Sequence, residues 1–176
     1  MLFKVIFLLA LSTPILACHI AWPNGTETTY NWFQCNNGPI QFLNATPFDH
    51  KGNFEYPIHL SSPVIIKTLI NNPTHTYSSP HLKKTIKVWS WSTSCKWNSV
   101  PTFGLLRNLD ACSNGVSCPI KQGTNQQLDL ELNFSEYGAI IRLLKDNSPY
   151  QLQYILHDKL TKDEACITFQ AKARIH

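Results

Sequence analysis

Leu128, Leu130, Leu132 and Phe134 alternate with Gln127, Asp129, Glu131 and Asn133, and no other feature restricts the fold of this chain as strongly. A period of two sends successive side chains to opposite faces of a strand, so this segment has one apolar side and one wet side. The rhythm recurs. In 82–91, Ile86, Val88 and Ser90 share one face while Thr85, Lys87, Trp89 and Trp91 share the other. Tyr150, Leu152, Tyr154 and Leu156 alternate with Gln151, Gln153, Ile155 and His157. The last strand sets Ile167, Phe169, Ala171, Ala173 and Ile175 against Thr168, Gln170, Lys172 and Arg174. Further strands are expected at 32–35, 40–44, 54–60 and 64–70, the third of these at an edge because Pro57 has no N–H for a ladder. The run 139–144, apolar on both faces apart from Arg142, reads as another strand, with Asp146-Asn147-Ser148-Pro149 as a hairpin-type turn after it. No long stretch has a 3.6-residue period. Roughly seven or eight short strands at regular spacing predict an all-β, two-sheet sandwich.

The chain opens with Met1-Leu2-Phe3-Lys4 and an uncharged run from Val5 to Leu11, then reaches Ala17 through Ser12-Thr13-Pro14-Ile15-Leu16. One basic residue, an apolar core and a small residue at the end make a secretory signal peptide over 1–17, too short for a membrane span of about 20 residues. Residues 18–29 read as a polar tail and 30–176 as one domain. The expected location is therefore extracellular, with lysosomal delivery as a variant. On that route the six cysteines, Cys18, Cys35, Cys95, Cys112, Cys118 and Cys166, are expected in disulfides, and their spacing alone does not choose partners. Cys112 and Cys118 flank Asn114-Gly115, which tolerates the positive φ of a tight reversal. This stretch either staples a turn or holds a loop at the mouth of something. Three glycosylation sequons begin at Asn24, Asn44 and Asn133, and their use in a secreted chain requires solvent-facing side chains.

Lysine and arginine are scattered, which excludes a nucleic-acid footprint. The seven histidines lie far apart, and no Cys-x-x-Cys, His-Glu-x-x-His, phosphate-loop or Gly-x-Ser-x-Gly pattern occurs. No metal, cofactor or catalytic residue is expected. Asp129 and Glu131 share a strand face, but that face carries Asn133 and reads as solvated rather than as an acid–base pair. The segment 92–111 loses all periodicity yet stays apolar, with Trp97, Val100, Pro101, Phe103, Leu105, Leu106 and Leu109. Loops normally run over the surface. This one either folds over a core or borders a cavity and meets a ligand or membrane.

The stretch from Cys112 to Gly123, with its Cys118-Pro119-Ile120 exit, resembles the cysteine-clipped loop of the ML lipid-recognition family, in particular of its Niemann-Pick type C cholesterol carriers. Ser135-Glu136-Tyr137 and the apolar run after it are similar to the next turn and strand of those carriers. Trp32-Phe33-Gln34-Cys35 is similar to the aromatic start of the family's ganglioside activator. The resemblance spans roughly 30–175 and is loose between Phe54 and Cys95. It implies an immunoglobulin-like sandwich whose sheets part around an apolar pocket for a sterol or acyl chain, in a secreted or lysosomal protein that binds and transfers lipid. It also implies pairing of Cys35 with Cys166 and of Cys112 with Cys118, leaving Cys18 and Cys95 as a third pair. Trp89, Trp91, Phe103, Leu105, Tyr137 and Ile141 become the expected lipid-binding residues. The expected partners are a sterol, phospholipid, glycolipid or fatty acid, a membrane in transient contact, and a receptor or hydrolase. The chain departs from the carriers in having Gly138 after the turn tyrosine and Trp89-Ser90-Trp91 where they have a proline-rich pocket strand. The competing expectation is a secreted sandwich acting as an adhesion or co-receptor module without a lipid cavity. Val64, Ile66, Val88, Trp89, Leu130, Tyr137, Ile141 and Leu152 decide between the two, according to whether they interdigitate or line a void.

Overall fold

A computed structural model describes residues 20–175; the expected signal peptide, Cys18 and the Cys18–Cys95 pairing lie outside them. The described residues form ten strands, β1 (Asn31–Gln34), β2 (Gln41–Asp49), β3 (Ile58–His59), β4 (Val64–Asn72), β5 (Leu82–Trp91), β6 (Trp97–Ser99), β7 (Leu109–Asp110), β8 (Gly123–Leu132), β9 (Ser148–Asp158) and β10 (Glu164–Arg174), with one short α-helix, α1 (Gly138–Ile141). The strands make an immunoglobulin-like sandwich. The larger sheet runs β1-β10-β9-β5-β6, with β3 beside the end of β10 and β7 beside β5, and the smaller sheet runs β2-β4-β8.

Period two explains the packing. Ile86 pairs with Tyr154 and Val88 with Leu152 across β5 and β9, and Tyr154 and Leu152 pair with Ile167 and Phe169 across β9 and β10. In the facing sheet Ile66 pairs with Leu130 and Val64 with Leu132. Each alternating set thus turns to the same interior. Leu128, Leu130, Ile70, Tyr154, Leu156 and Ile167 are all buried there, where each large apolar side chain is worth about 1.5–3 kcal/mol relative to exposure. Cys35, just past β1, is bonded to Cys166 of β10, with Cα atoms 5.2 Å apart. Cys112 is bonded to Cys118. Between them the chain turns at Gly115, whose φ of +87° is left-handed, and lies along β8: the Ser117 N–H donates to the Asp129 carbonyl and the Glu131 N–H to the Gly115 carbonyl.

Three local expectations need correction. Residues 139–144 are not a strand: α1 takes Gly138–Ile141, and burial there follows helical spacing, with Ile140 and Leu144 buried, Ile141 half-buried and Arg142 and Leu143 exposed, whereas a strand would put Arg142 on the same face as Ile140 and Leu144. Apolar runs without alternation leave helix and strand undecided. The 146–149 turn consequently joins a helix to β9 and makes no hairpin; the hairpin is β9–β10, where the Asp158 carboxylate accepts the N–H groups of Leu160 and Thr161. Of the expected strand 54–60, only Ile58–His59 forms a strand, in parallel with Ala173–Arg174, while Phe54 makes an isolated antiparallel bridge to Phe48.

The greasy segment runs along the outer edge of β5. The Val100 N–H donates to the Val88 carbonyl and the Leu106 carbonyl accepts from Ile86. Val100 and Leu106 are buried against the core, while the tip between them holds Phe103, 68% exposed, and Leu105, 42% exposed.

Candidate functional site

An apolar cavity lies between the sheets. Val88, Leu152, Phe169 and Ala171 supply its wall on the larger sheet, and Pro47, Val64, Ile66 and Leu132 supply the wall on the smaller one. Tyr30, Ile58, Leu60, Phe134 and Leu144 close its ends, with Tyr150 and Ala173. The seam holds about 680 Å³ of free space with its mouth included, of which about 70 Å³ is wide enough for the centre of a water-sized sphere. By the latter measure one water takes roughly 10–15 Å³, so the enclosed part is a slot several atoms long. Its two hydroxyls are tied elsewhere: the Tyr150 hydroxyl donates to the Lys145 carbonyl and accepts from the Lys145 N–H, and the Tyr30 hydroxyl reaches Thr46. The slot is therefore dry in character. The Tyr30 ring also contacts Phe54 at 6.1 Å, and Phe54 is 58% exposed, which puts a solvent-facing aromatic one ring away from the cavity.

None of the six expected lipid-binding residues lines this cavity. Trp89 and Trp91 have the opposite strand parity from Val88 and lie half-buried on the outer face. Trp91 packs edge-on against Trp97 at 5.0 Å and its Nε1–H donates to the Ile20 carbonyl. Phe103 and Leu105 ride the exposed tip. Ile141 packs on the core from α1. Tyr137 belongs to a different cavity. Of the eight deciding residues, Val64, Ile66, Val88 and Leu152 line the void, whereas Leu130 is fully buried core. The inward direction of Val88, Leu152 and Phe169 was legible in the strand parity of β5, β9 and β10, but not that they line a void. Tyr30, Pro47, Ile58 and Leu60 carried no signal, because they are brought in by long-range pairing.

Tyr137 lines a polar chamber beside the apolar one. Lys84 and Ile86 of β5, Ser113, Asn114 and Gly115 of the clipped loop, and Leu106 make one side of it. Glu131, Asn133, Glu136 and Tyr137 make the other, and Leu132 and Phe134 belong to both cavities. Lys84 shares the parity of Ile86, so its side chain is directed into the sandwich, and it is only 6% exposed. Burial pushes its ammonium down to about 8, against the charges of Glu131 and Glu136, which favour the protonated form. One of its three donors goes to the Asn114 carbonyl. Among the described residues it forms no ion pair. The Lys84 ammonium lies 5.6 Å from the centroid of the Tyr154 ring. The Tyr154 hydroxyl is buried without a hydrogen-bond partner, and burial, then the Glu131 charge, pushes its pKa up. Asn133 takes part in the wall, its amide donating to Glu136 Oε1 at 2.9 Å. Of the other sequons, Asn44 is exposed and Asn24 is exposed with its amide donating to Gln170 at 2.6 Å. Among the described residues no cluster of His, Cys, Asp and Glu could hold a metal ion, and no helix is long and apolar enough to cross a membrane.

No protein-family model and no curated protein matches this sequence. Among solved structures, the chain is similar to a Niemann-Pick type C2 protein from the Japanese carpenter ant, at 12% identity and a TM-score of 0.48, over 82% of this chain and 99% of that one. It is also similar to the C-terminal domain of Wzt, at 6% identity and a TM-score of 0.44, over 83% and 80% of the two chains. At these values neither similarity decides a ligand. The fold rests on the strand pairing, and the function on the cavities.

Proposed function

We propose that this protein binds a lipid between its two sheets and carries it outside the cytoplasm. The observation that carries the reading is the slot lined by Val64, Ile66, Val88, Leu132, Leu152 and Phe169. Side chains in protein interiors normally close up on each other, and an apolar void left unfilled forfeits contact energy. A chain of methylenes restores those contacts at about 0.8 kcal/mol for each one buried. The slot is slim, which favours an acyl chain over a rigid sterol. The resemblance to the ML family agrees with this reading, and the disulfides agree with an oxidising compartment. Transfer to a membrane, receptor or hydrolase would use the exposed side chains Phe54, Phe103 and Leu105. A protein-binding sandwich without lipid accounts for those exposed groups but leaves the void unexplained.

The test is mass spectrometry of organic extracts from the secreted protein, with titration of a fluorescent fatty acid. Ala171→Phe projects a ring into the slot and should abolish uptake, whereas Phe103→Ala, at the solvent-facing tip, should leave it unchanged. An empty extract together with no uptake by the unmutated protein would refute lipid carriage.

A further inference from the structure

We infer that the polar chamber around Lys84 and Glu131 is a headgroup site for a neutral, polyhydroxylated lipid, a sugar- or glycerol-headed amphiphile whose chain occupies the adjoining slot. The inference rests on the lipid-binding reading above and adds the chemistry of the head.

The two cavities share Leu132 and Phe134, so apolar and polar spaces meet at a two-residue partition within one sandwich. An amphiphile with its chain on one side of that partition has its head on the other. A lysine on the inner face of a sheet is costly to desolvate, and here it is 6% exposed with a backbone carbonyl as its partner. Two of its three donors remain for other acceptors. Across the chamber, the Glu131 and Glu136 carboxylates offer only acceptors. Lys84 does not bridge to either of them, so the space between cation and carboxylates is open to a molecule.

That combination selects for hydroxyls. A hydroxyl accepts from the ammonium and donates to a carboxylate, and a polyol does both at neighbouring carbons. A phosphate or sulfate head would meet one positive and two negative side chains, and a quaternary ammonium would meet Lys84. The face of the Tyr154 ring, 5.6 Å from the Lys84 ammonium, helps hold the cation without using any of its donors.

The experiment uses calorimetry on the full secreted protein with decyl β-glucoside below its micelle concentration, methyl decanoate and methyl β-glucoside. The glucoside amphiphile should bind at least tenfold more tightly than the ester. Lys84→Met combined with Glu131→Gln should remove that advantage while leaving the ester unaffected, and Ala171→Phe should weaken both. Equal affinity for the two amphiphiles, or an advantage that survives the double substitution, would overturn the headgroup site while lipid binding stands. Binding of methyl glucoside lost in the double variant, with no ester binding, would uphold the chamber and refute the slot. No binding of any of the three would refute both.

Discussion

Lys84→Met is the most informative single substitution, because its effect on stability depends on pH in a way that only a desolvated ammonium produces. The native lysine titrates at about 8 instead of 10.5, chiefly through burial. At pH 7 it is charged in both states, and the native state carries a penalty of about 3 kcal/mol, from about 1.4 kcal/mol per pKa unit. Between pH 8 and 10.5 the unfolded chain still holds the proton after the native lysine has lost it, so stability rises with pH through that window. Integrated from pH 7 to 9.5, the gain is about 2 kcal/mol. Other lysines and tyrosines titrate too, but they are common to both proteins and cancel in the difference. Urea unfolding followed by tryptophan fluorescence at the two pH values should therefore show the wild type gaining about 2 kcal/mol relative to Lys84→Met. A difference between the proteins that is the same at both pH values would refute the buried, water-excluded position of Lys84.

The remaining expectations address the frame around the cavities. Replacing Cys35 and Cys166 together by Ala frees a 131-residue separation, and loop entropy sets the cost at up to about 5 kcal/mol in the urea midpoint analysis. Gly115→Ala brings a Cβ to 2.6 Å from the Glu131 Cβ at a φ of +87°, and should cost about 1–3 kcal/mol by the same measurement. Asp110 is drawn down to about 2 by the Ser79 hydroxyl, the Ser113 N–H and Lys83. Its hold on the clipped loop is therefore complete above the usual carboxylate range and is lost as pH falls towards 2. The protection factor of the Ser113 amide, taken against the intrinsic exchange rate at each pH, should fall over that range, and Asp110→Asn should remove the pH dependence of that protection.

What the sequence disclosed was parity. Leu128, Leu130 and Leu132, or Ile86 and Val88, announce their common face because period two is local, and the two-sheet fold follows. The same parity already assigned Trp89 and Trp91 to the face away from Val88; the resemblance to a carrier's pocket strand pulled them inward, and the strand geometry does not. Lys84 is on the inner face with Ile86, a burial of charge that the chamber beside it accounts for. The slot was less legible. A leucine in a packed core and one lining a void have the same alternation, and only the separation of the sheets tells them apart. Tyr30, Pro47 and Ile58 reach the slot through pairings and loops remote in sequence. Apolar composition failed at Phe103 and Leu105 because a short edge loop can bury Val100 and Leu106 while leaving its tip in water.

The clipped loop has a consequence beyond the shape of the chamber wall. β8 is the last strand of the smaller sheet, and its row of N–H and C=O groups beside Leu128, Leu130 and Leu132 is a template on which another chain's strand could grow. Gly115 and Ser117 occupy the Glu131 N–H and the Asp129 carbonyl, and the Cys112–Cys118 bond keeps that cover from peeling away. Opening the bond would expose an alternating, leucine-rich edge of the kind that seeds intermolecular sheets. In a protein that also presents apolar side chains to solvent, the small disulfide is a guard against self-association as much as a brace for the fold.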